Sequence, residues 1–159
     1  MHIAGVIIIM ILLLMLSGFF SGTETAIFNL KTHRDEIPDD IAELLKSPRK
    51  LLVTLLTGNT LVNVLMAALA ALLVTQFALK YSLPHFVMIL IEVFAVTSAV
   101  LIFGEIIPKI IAIRNSSKFT HVVSTPLRFF ILLLYPIAWI LHEFIHQVLR
   151  LMPVKKEKI

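Results

Sequence analysis

Four long apolar segments determine what this chain can fold into, and they cover residues 3–30, 51–79, 86–113 and 122–151. A helix needs about 20 apolar residues to cross the hydrocarbon core of a bilayer, and each segment meets or approaches that length. Of all residues, 58% are hydrophobic and only 15% are charged. A soluble domain carries about 25% charged residues. The sequence therefore predicts an all-α integral membrane protein that forms one domain over residues 1–159.

The distribution of basic residues predicts how the segments are oriented. Lys and Arg are concentrated in the polar loop at 31–50 and directly after residue 113, whereas the turn at 80–85 carries only Lys80. Loops rich in Lys and Arg stay in the cytoplasm. We therefore expect the N-terminus outside, the C-terminus in the cytoplasm and a multi-pass location in the plasma or inner membrane. The start, Met1-His2, lacks the basic charge that a cleaved signal peptide requires.

The fourth segment differs from the other three because basic residues lie on both of its flanks. It contains Pro126 and Pro136, and its second half has a polar stripe opposite an apolar one. The polar stripe consists of His142, Glu143, His146 and Arg150. This two-sided pattern is typical of a helix at the membrane interface. We predict three transmembrane helices plus an amphipathic juxtamembrane (belt) helix, in-plane or re-entrant, at about 122–151; a fourth span is the alternative.

Each of the three predicted spans carries polar side chains at a depth where lipid disfavours them. The first span contributes Ser17, Ser21 and Glu24, the second Asn59 and Asn63, and the third Glu105. Ser21, Asn59 and Glu105 each lie about eight or nine residues, or roughly 12–14 Å, from the predicted cytoplasmic end of their helix. Polar groups that share one layer in the inner half of the bilayer are expected to form an ion site.

The residue types in this layer favour a hard cation. Hydroxyl, amide and carboxylate oxygens suit Mg²⁺, Ca²⁺ or Na⁺, and the chain has no Cys to bind a soft metal. Residues expected to shape the site are Gly18, Gly22, Gly58, Gly104, Pro108 and Lys109. Pro108 has no N–H to donate to the carbonyl of Gly104, which leaves that oxygen free. Helix packing alone is the alternative, since Gly18 and Gly22 form a GxxxG pattern.

The stretches SGFFSGTETA (17–26), LLTGNTLVN (55–63) and FGEIIPK (103–109) resemble the transmembrane domain of the CorC/CNNM family of magnesium transporters. The resemblance covers essentially the whole chain. It implies a homodimer, with three spans and a belt helix in each subunit. It also implies a Mg²⁺ site near the membrane middle that opens to the cytoplasm, and Mg²⁺ export driven by Na⁺ entry. The implied ligands are Ser17, Ser21, Glu24, Asn59, Asn63 and Glu105.

Some features depart from the family pattern. The second span reads GNT, with Thr60 where members often have a second Asn. Full-length members continue into cytoplasmic CBS domains that bind ATP, and this chain, which ends in VKKEKI, is expected to lack them. Glu92 is an acid within the third span that matches no family motif. Glu92 is interpreted either as a second position at which a cation binds or as a partner of Lys80, reached by snorkelling of the side chain.

Residues 142–146 read HEFIH and match the HExxH zinc-protease pattern, in which two His bind Zn²⁺ and the Glu acts as general base. A third ligand is required, and only His121 and Asp39 suggest themselves. The same residues form the polar face of the belt helix, so we expect that the protein is not an enzyme. A non-transporting membrane scaffold is the other alternative. No nucleic-acid partner is expected, because the basic residues are scattered and few aromatic residues lie among them.

Overall fold

The computed structural model describes residues 3–33, 39–46, 48–81 and 84–151, and these residues are almost entirely helical. The elements are α1 (Ile3–His33), α2 (Asp39–Leu45), α3 (Pro48–Tyr81), α4 (His85–Ala99), a π-helical segment (Val100–Ile106), α5 (Ile107–Arg114) and α6 (Ser116–Leu151). α4, the π-helical segment and α5 follow one another without a break and form one long helix. The predicted all-α fold class is confirmed.

Three helical stretches are long and apolar enough to cross a membrane: Ile3–Leu30, Leu51–Ala78 and Phe86–Arg114. The first lies in α1, the second in α3, and the third runs from α4 through the π-helical segment into α5. These bounds agree with the predicted spans to within one residue. Large apolar side chains cover their outer surface, as at Phe94, which is 78% exposed. Exposure of so large an apolar surface to water is unfavourable, so these helices are expected to lie in lipid.

α1 lies at the centre of the bundle and packs against α3, α5, α6 and the π-helical segment. Its buried face carries Phe20, Ile27 and Leu30. The ring of Phe20 meets the ring of Phe130 of α6 edge to face, with centroids 5.1 Å apart. Such an aromatic pair contributes about 0.5–1.5 kcal/mol beyond the burial of its area. This core fixes the position of α1 between α3 and α6.

Two of the predicted site-shaping glycines leave space for aromatic rings between helices. A Cβ atom added at Gly58 of α3 would lie 2.6 Å from Cζ of Phe20. A Cβ atom added at Gly22 of α1 would lie 2.6 Å from Cζ of Phe119 of α6. Side chains essentially never approach that closely, so any larger residue at either position would displace the facing ring.

The third span contains a widened turn next to its proline. The N–H of Ile107 donates to the carbonyl oxygen of Ile102, five residues earlier, which is the hydrogen bond of a π-helix. Pro108 follows and has no N–H with which to continue the α-helical pattern. Pro108 predicted a free carbonyl oxygen at Gly104, but the widened helix before it was not foreseen. π-helical turns are rare and occur frequently at functional sites.

α6 is one continuous helix that passes through Pro126 and Pro136. Its buried residues recur at helical spacing on the side that packs against α1 and α3; they are Ser116, Thr120, Val123, Ser124, Leu127 and Leu134. Its other side exposes apolar side chains such as Val122 and Leu132. The predicted fourth helix is present, and it begins at Ser116 rather than near residue 122. The side chains of His142, His146 and Arg150, on which its predicted polar stripe rests, lie outside the described residues.

Candidate cation site

Three side-chain oxygens from α1 and α3 meet inside the bundle. The hydroxyl oxygen Oγ of Ser17 lies 2.8 Å from Oδ1 of Asn63 and 3.0 Å from Oδ1 of Asn59. Ser17 is fully buried. A serine hydroxyl has one proton and donates it to one acceptor at a time, so a single hydrogen bond cannot satisfy this convergence of oxygens. The structure thus brings together the polar residues that the sequence placed in the first and second spans.

Ser21 lies one helical turn from Ser17 on the same face of α1. It is 1% exposed, and its hydroxyl has no hydrogen-bond partner in the described part of the chain. Leaving a buried polar group unpaired costs about 1–3 kcal/mol. The neighbouring hydroxyls of Thr23 and Thr25 avoid that cost, because they donate to the carbonyls of Phe19 and Ser21. Ser21 Oγ is therefore a buried oxygen that is available to a ligand.

The third span approaches these oxygens through Gly104. A Cβ atom added at Gly104 would lie 2.8 Å from Oγ of Ser17. One turn further along, Pro108 packs on Gly18, where an added Cβ atom would lie 3.0 Å from Cγ of the proline. These close approaches bring the backbone of the π-helical segment to the polar layer. Glu105 follows Gly104 directly, is half-buried, and makes no hydrogen bond or ion pair with described residues.

Glu24 and Lys109 line an open cavity of about 460 Å³ between α1 and α5, together with Thr25, Phe28, Asn29 and Ile113. No ion pair within 4.0 Å joins the Glu24 carboxylate to the Lys109 ammonium. The sequence placed Glu24 in one site with Ser17 and Ser21. The structure places it about one turn further along α1, at the opening of this cavity rather than among the three convergent oxygens.

Asn29 and Ser116 form a link that the sequence analysis missed. Nδ2 of Asn29 donates to Oγ of Ser116 at 2.5 Å and to the carbonyl oxygen of Ile113 at 3.3 Å. The link ties α1 to the junction between α5 and α6, beside the cavity of Glu24 and Lys109. A lone amide between Phe28 and Leu30, near the end of an apolar helix, was the available signal.

Two other sequence candidates lie apart from this site. Glu92 is half-buried in α4, on the other side of the polar layer from Lys109. The HEFIH stretch lies in α6, but the side chains of His142 and His146 fall outside the described residues. Among the side chains that are described, no three His, Asp or Glu residues come together to hold a metal ion. The zinc-protease interpretation gains no support from the described residues.

The fold and the polar layer together define a class of protein, a multi-pass helical membrane domain with polar groups buried between its spans. The sequence profile of the CNNM family, described as the cyclin M transmembrane N-terminal domain, matches residues 7–159. Because the match covers nearly the whole chain, the chain belongs to this family. The resemblance to the CorC/CNNM transmembrane domain is thereby confirmed.

Curated relatives of similar sequence include bacterial and plant proteins. The chain is 29% identical over 150 residues to the UPF0053 inner membrane protein YfjD of Escherichia coli, covering 89% of this chain and 34% of that protein. It is 28% identical over 162 residues to a UPF0053 protein of Haemophilus influenzae, covering 93% and 36%. It is 27% identical over 155 residues to the DUF21 domain-containing protein At1g55930, chloroplastic, of Arabidopsis thaliana, covering 93% and 23%. The chain thus spans about a third or less of the length of these relatives.

Proposed function

We propose that this chain is the transmembrane domain of a Mg²⁺ transporter that exports Mg²⁺ in exchange for Na⁺. One observation carries the proposal. The side-chain oxygens of Asn59 and Asn63 both lie within 3.0 Å of the buried hydroxyl oxygen of Ser17. Hydroxyl and amide groups gathered in this way offer the oxygen ligands that a hard cation such as Mg²⁺ prefers. Ser21 adds a buried hydroxyl without a partner among the described residues.

The ligand set suits Mg²⁺ because it combines neutral oxygens with acidic groups nearby. Mg²⁺ requires close to octahedral oxygen coordination and loses its water reluctantly, so it needs a rigid site with negative charge. Ser17, Ser21, Asn59 and Asn63 are the proposed neutral ligands. Glu105 supplies a carboxylate beside Gly104, and Glu24 supplies one at the adjoining cavity.

The cavity of Glu24 and Lys109 is the proposed route from the cytoplasm to the site. It lies toward the ends of α1 and α5 that the Lys- and Arg-rich loops assign to the cytoplasmic side. Na⁺ also prefers oxygen ligands, so Na⁺ that enters from outside would compete for the same oxygens and release Mg²⁺. In this proposal the exchange of the two ions drives export.

The proposed assembly is a homodimer in the plasma or inner membrane. α4 leaves large apolar side chains uncovered in the single chain, including Phe86 at 71% and Phe94 at 78% exposure. Helices in lipid associate by close packing rather than by the hydrophobic effect, so the partner surface must be complementary in shape. A second copy would offer such a surface, and lipid covers whatever the partner leaves free.

Replacement of Asn59 by Ala tests the proposed site. The change removes one of the two amide oxygens at Ser17 Oγ, and a lost ligand of a Mg²⁺ site is expected to weaken binding at least about tenfold, or about 1.4 kcal/mol. Calorimetric titration of the purified chain with Mg²⁺ measures the affinity. Release of Mg²⁺ from proteoliposomes measures transport, which is expected to fall with it.

Thr60→Ala is the matched control, because Thr60 is the next residue in the chain and is exposed on the outer side of α3. It is expected to leave both Mg²⁺ affinity and transport unchanged. Unchanged binding and transport in Asn59→Ala would contradict the assigned site. A wild-type chain that binds no Mg²⁺ in the same titration would instead favour a non-transporting membrane scaffold.

A further inference from the structure

A second cavity, of about 540 Å³, lies at the junction between α5 and α6. Its volume falls within the range of about 300–1,000 Å³ that is usual for small-molecule sites. It adjoins the cavity of Glu24 and Lys109, with which it shares Asn29 and Ile113, and the rest of its lining is formed by residues 114–118. The proposed Mg²⁺ site makes no use of these five residues.

The cavity lies where the membrane core gives way to the lipid head groups. The first apolar span ends at Leu30 and the third at Arg114, and residues from both of these ends line the cavity. The head-group region begins where such apolar spans end. A ligand in this cavity is therefore within reach of both the head groups and the adjoining solution.

Two basic side chains line the cavity without a counter-charge. Arg114 is the last residue of α5, and Lys118 lies in the first turn of α6, with Asn115 as the break between the two helices. Neither cation forms an ion pair or a hydrogen bond within the described residues, and no acidic residue belongs to the described lining. Because like charges on one cavity repel each other, an anion bound there lowers the electrostatic energy.

The neutral side chains of the lining add hydrogen-bond donors. The side chains of Asn115 and Ser117 are exposed, and neither forms a hydrogen bond within the described residues. Guanidinium and ammonium groups can only donate, and an amide and a hydroxyl each have a proton to give. The cavity thus combines charged and neutral donors, a set that suits negatively charged oxygen acceptors.

A buried pair of side chains anchors the junction that carries these donors. Ser116 is 6% exposed, and its hydroxyl oxygen accepts a hydrogen bond from Nδ2 of Asn29 at 2.5 Å. The same hydroxyl donates to the carbonyl oxygen of Ile113. These bonds tie the junction to α1, so the donors are held by packed helices rather than by a free loop.

The donor set and its depth together favour phosphate as the ligand. Arg presents a planar fork of donors that binds phosphate oxygens in pairs, and Lys supplies a compact positive charge. Basic pockets between transmembrane helices bind the phosphate of lipid head groups, and this cavity lies at the depth of those groups.

We propose that this cavity binds a phosphate group, with Arg114 and Lys118 as its charged contacts. An anionic lipid such as phosphatidylglycerol and a free phosphate ion present the same group, and titration with each of them separates the two sources. The inference does not depend on Mg²⁺ transport, because none of the proposed Mg²⁺ ligands lines this cavity.

Arg114→Gln and Lys118→Gln test the two charged contacts. Native mass spectrometry of the purified full chain in a neutral detergent measures the dissociation constant for short-chain phosphatidylglycerol and, in a separate titration, for inorganic phosphate. Each substitution is expected to raise the dissociation constant of whichever source binds at least about tenfold, the effect of losing a hydrogen bond to a charged group. The double variant is expected to lose binding.

Lys46→Gln is the matched control, because it removes the same charge from an exposed lysine outside this cavity. An exposed charge is screened by salt, so at physiological ionic strength the dissociation constant is expected to stay within about twofold of that of the unmodified chain. Circular dichroism shows which variants fold, and Lys118→Gln alone tests the inference if Arg114→Gln does not fold.

Ser117→Cys locates the bound group, since the chain has no other cysteine. Saturating ligand is expected to remove most of the labelling of Ser117→Cys by a thiol reagent and to leave the labelling of Ala42→Cys unchanged. Equal labelling of Ser117→Cys with and without ligand would place the bound group elsewhere and contradict the inference.

The two titrations also identify the source of the phosphate. Binding of phosphatidylglycerol alone, lost in Arg114→Gln and Lys118→Gln, would assign the site to a lipid head group. Binding of inorganic phosphate with the same dependence would assign it to phosphate from solution as well. The inference would be wrong if neither ligand bound, or if Lys46→Gln weakened binding as much as the two cavity substitutions.

Discussion

Ser21 holds a buried hydroxyl that has no hydrogen-bond partner among the described residues, at the centre of a helix where stability alone would favour Ala. Thr23 and Thr25 nearby show how such a group is ordinarily satisfied, by donation to a carbonyl one turn back. The hydroxyls of Thr23 and Thr25 are thus already paired, whereas the hydroxyl of Ser21 is available to a ligand. The sequence grouped Ser21 with Ser17 by spacing, but spacing could not tell which hydroxyls are already paired.

Ser21→Ala is expected to lower Mg²⁺ affinity at least about tenfold while the ion-free protein becomes no less stable, because an unpaired buried hydroxyl costs about 1–3 kcal/mol. Thermal unfolding without Mg²⁺ and calorimetric titration with Mg²⁺ measure the two effects. Ser124→Ala is the control, since Ser124 is also buried but donates to the carbonyl of His121. It is expected to lower stability and to leave affinity unchanged. The reverse pattern would remove Ser21 from the ligand set.

The third span is the element in which sequence and structure differ most. Its polar residues and its proline were visible, and Pro108 predicted a free carbonyl oxygen at Gly104. The π-helical turn, which lies where the π-helical segment and α5 pack against α1, was not visible. Close approach is possible only because position 104 has no side chain, as the distance of 2.8 Å from an added Cβ atom to Ser17 Oγ indicates. At position 104 the element therefore approaches the site through its backbone.

Gly104→Ala is expected to push Ser17 Oγ away from Asn59 and Asn63 and so to weaken Mg²⁺ binding, although no proposed ligand is removed. Overpacking of this kind costs about 1–3 kcal/mol, so the unfolding temperature is expected to fall as well. Calorimetry and thermal unfolding measure both. Gly5→Ala in α1 is the matched control, because an added Cβ atom there meets nothing within 4 Å. If the two variants behaved alike, the approach of the third span to Ser17 would not matter.

The whole molecule is organised around α1, which touches every other part of the polar layer. α3 brings the amides, the π-helical segment brings its backbone, and α6 supports the opposite side through Phe130 and Ser116. The orientation of this bundle follows from the positive-inside rule and stays a prediction. The absence of Cys from the sequence makes the orientation straightforward to measure.

Single cysteines at Ala42 and Ser82 test the orientation of the bundle in intact bacterial cells. Ala42 is exposed in α2, within the loop assigned to the cytoplasm. Ser82 belongs to the stretch 80–85, which the sequence assigns to the outside. A membrane-impermeant maleimide is expected to label Ser82→Cys in intact cells and Ala42→Cys only after the membrane is permeabilised. Labelling of Ala42→Cys from outside would show that the assigned topology is inverted. The cavity of Glu24 and Lys109 would then open to the outside.

The sequence by itself determined the fold class, the three spans and the amphipathic helix, because the length and periodicity of apolar segments are sufficient to define helices in lipid. It also placed Ser21, Asn59 and Glu105 at one depth, because the rise of a helix converts residue number into distance. Only the tertiary structure decided that Ser17 meets Asn59 and Asn63 and that Glu24 lines the opening. The rotation of each helix about its axis decides these points, and that rotation is set by packing between helices rather than by the sequence pattern of any one of them.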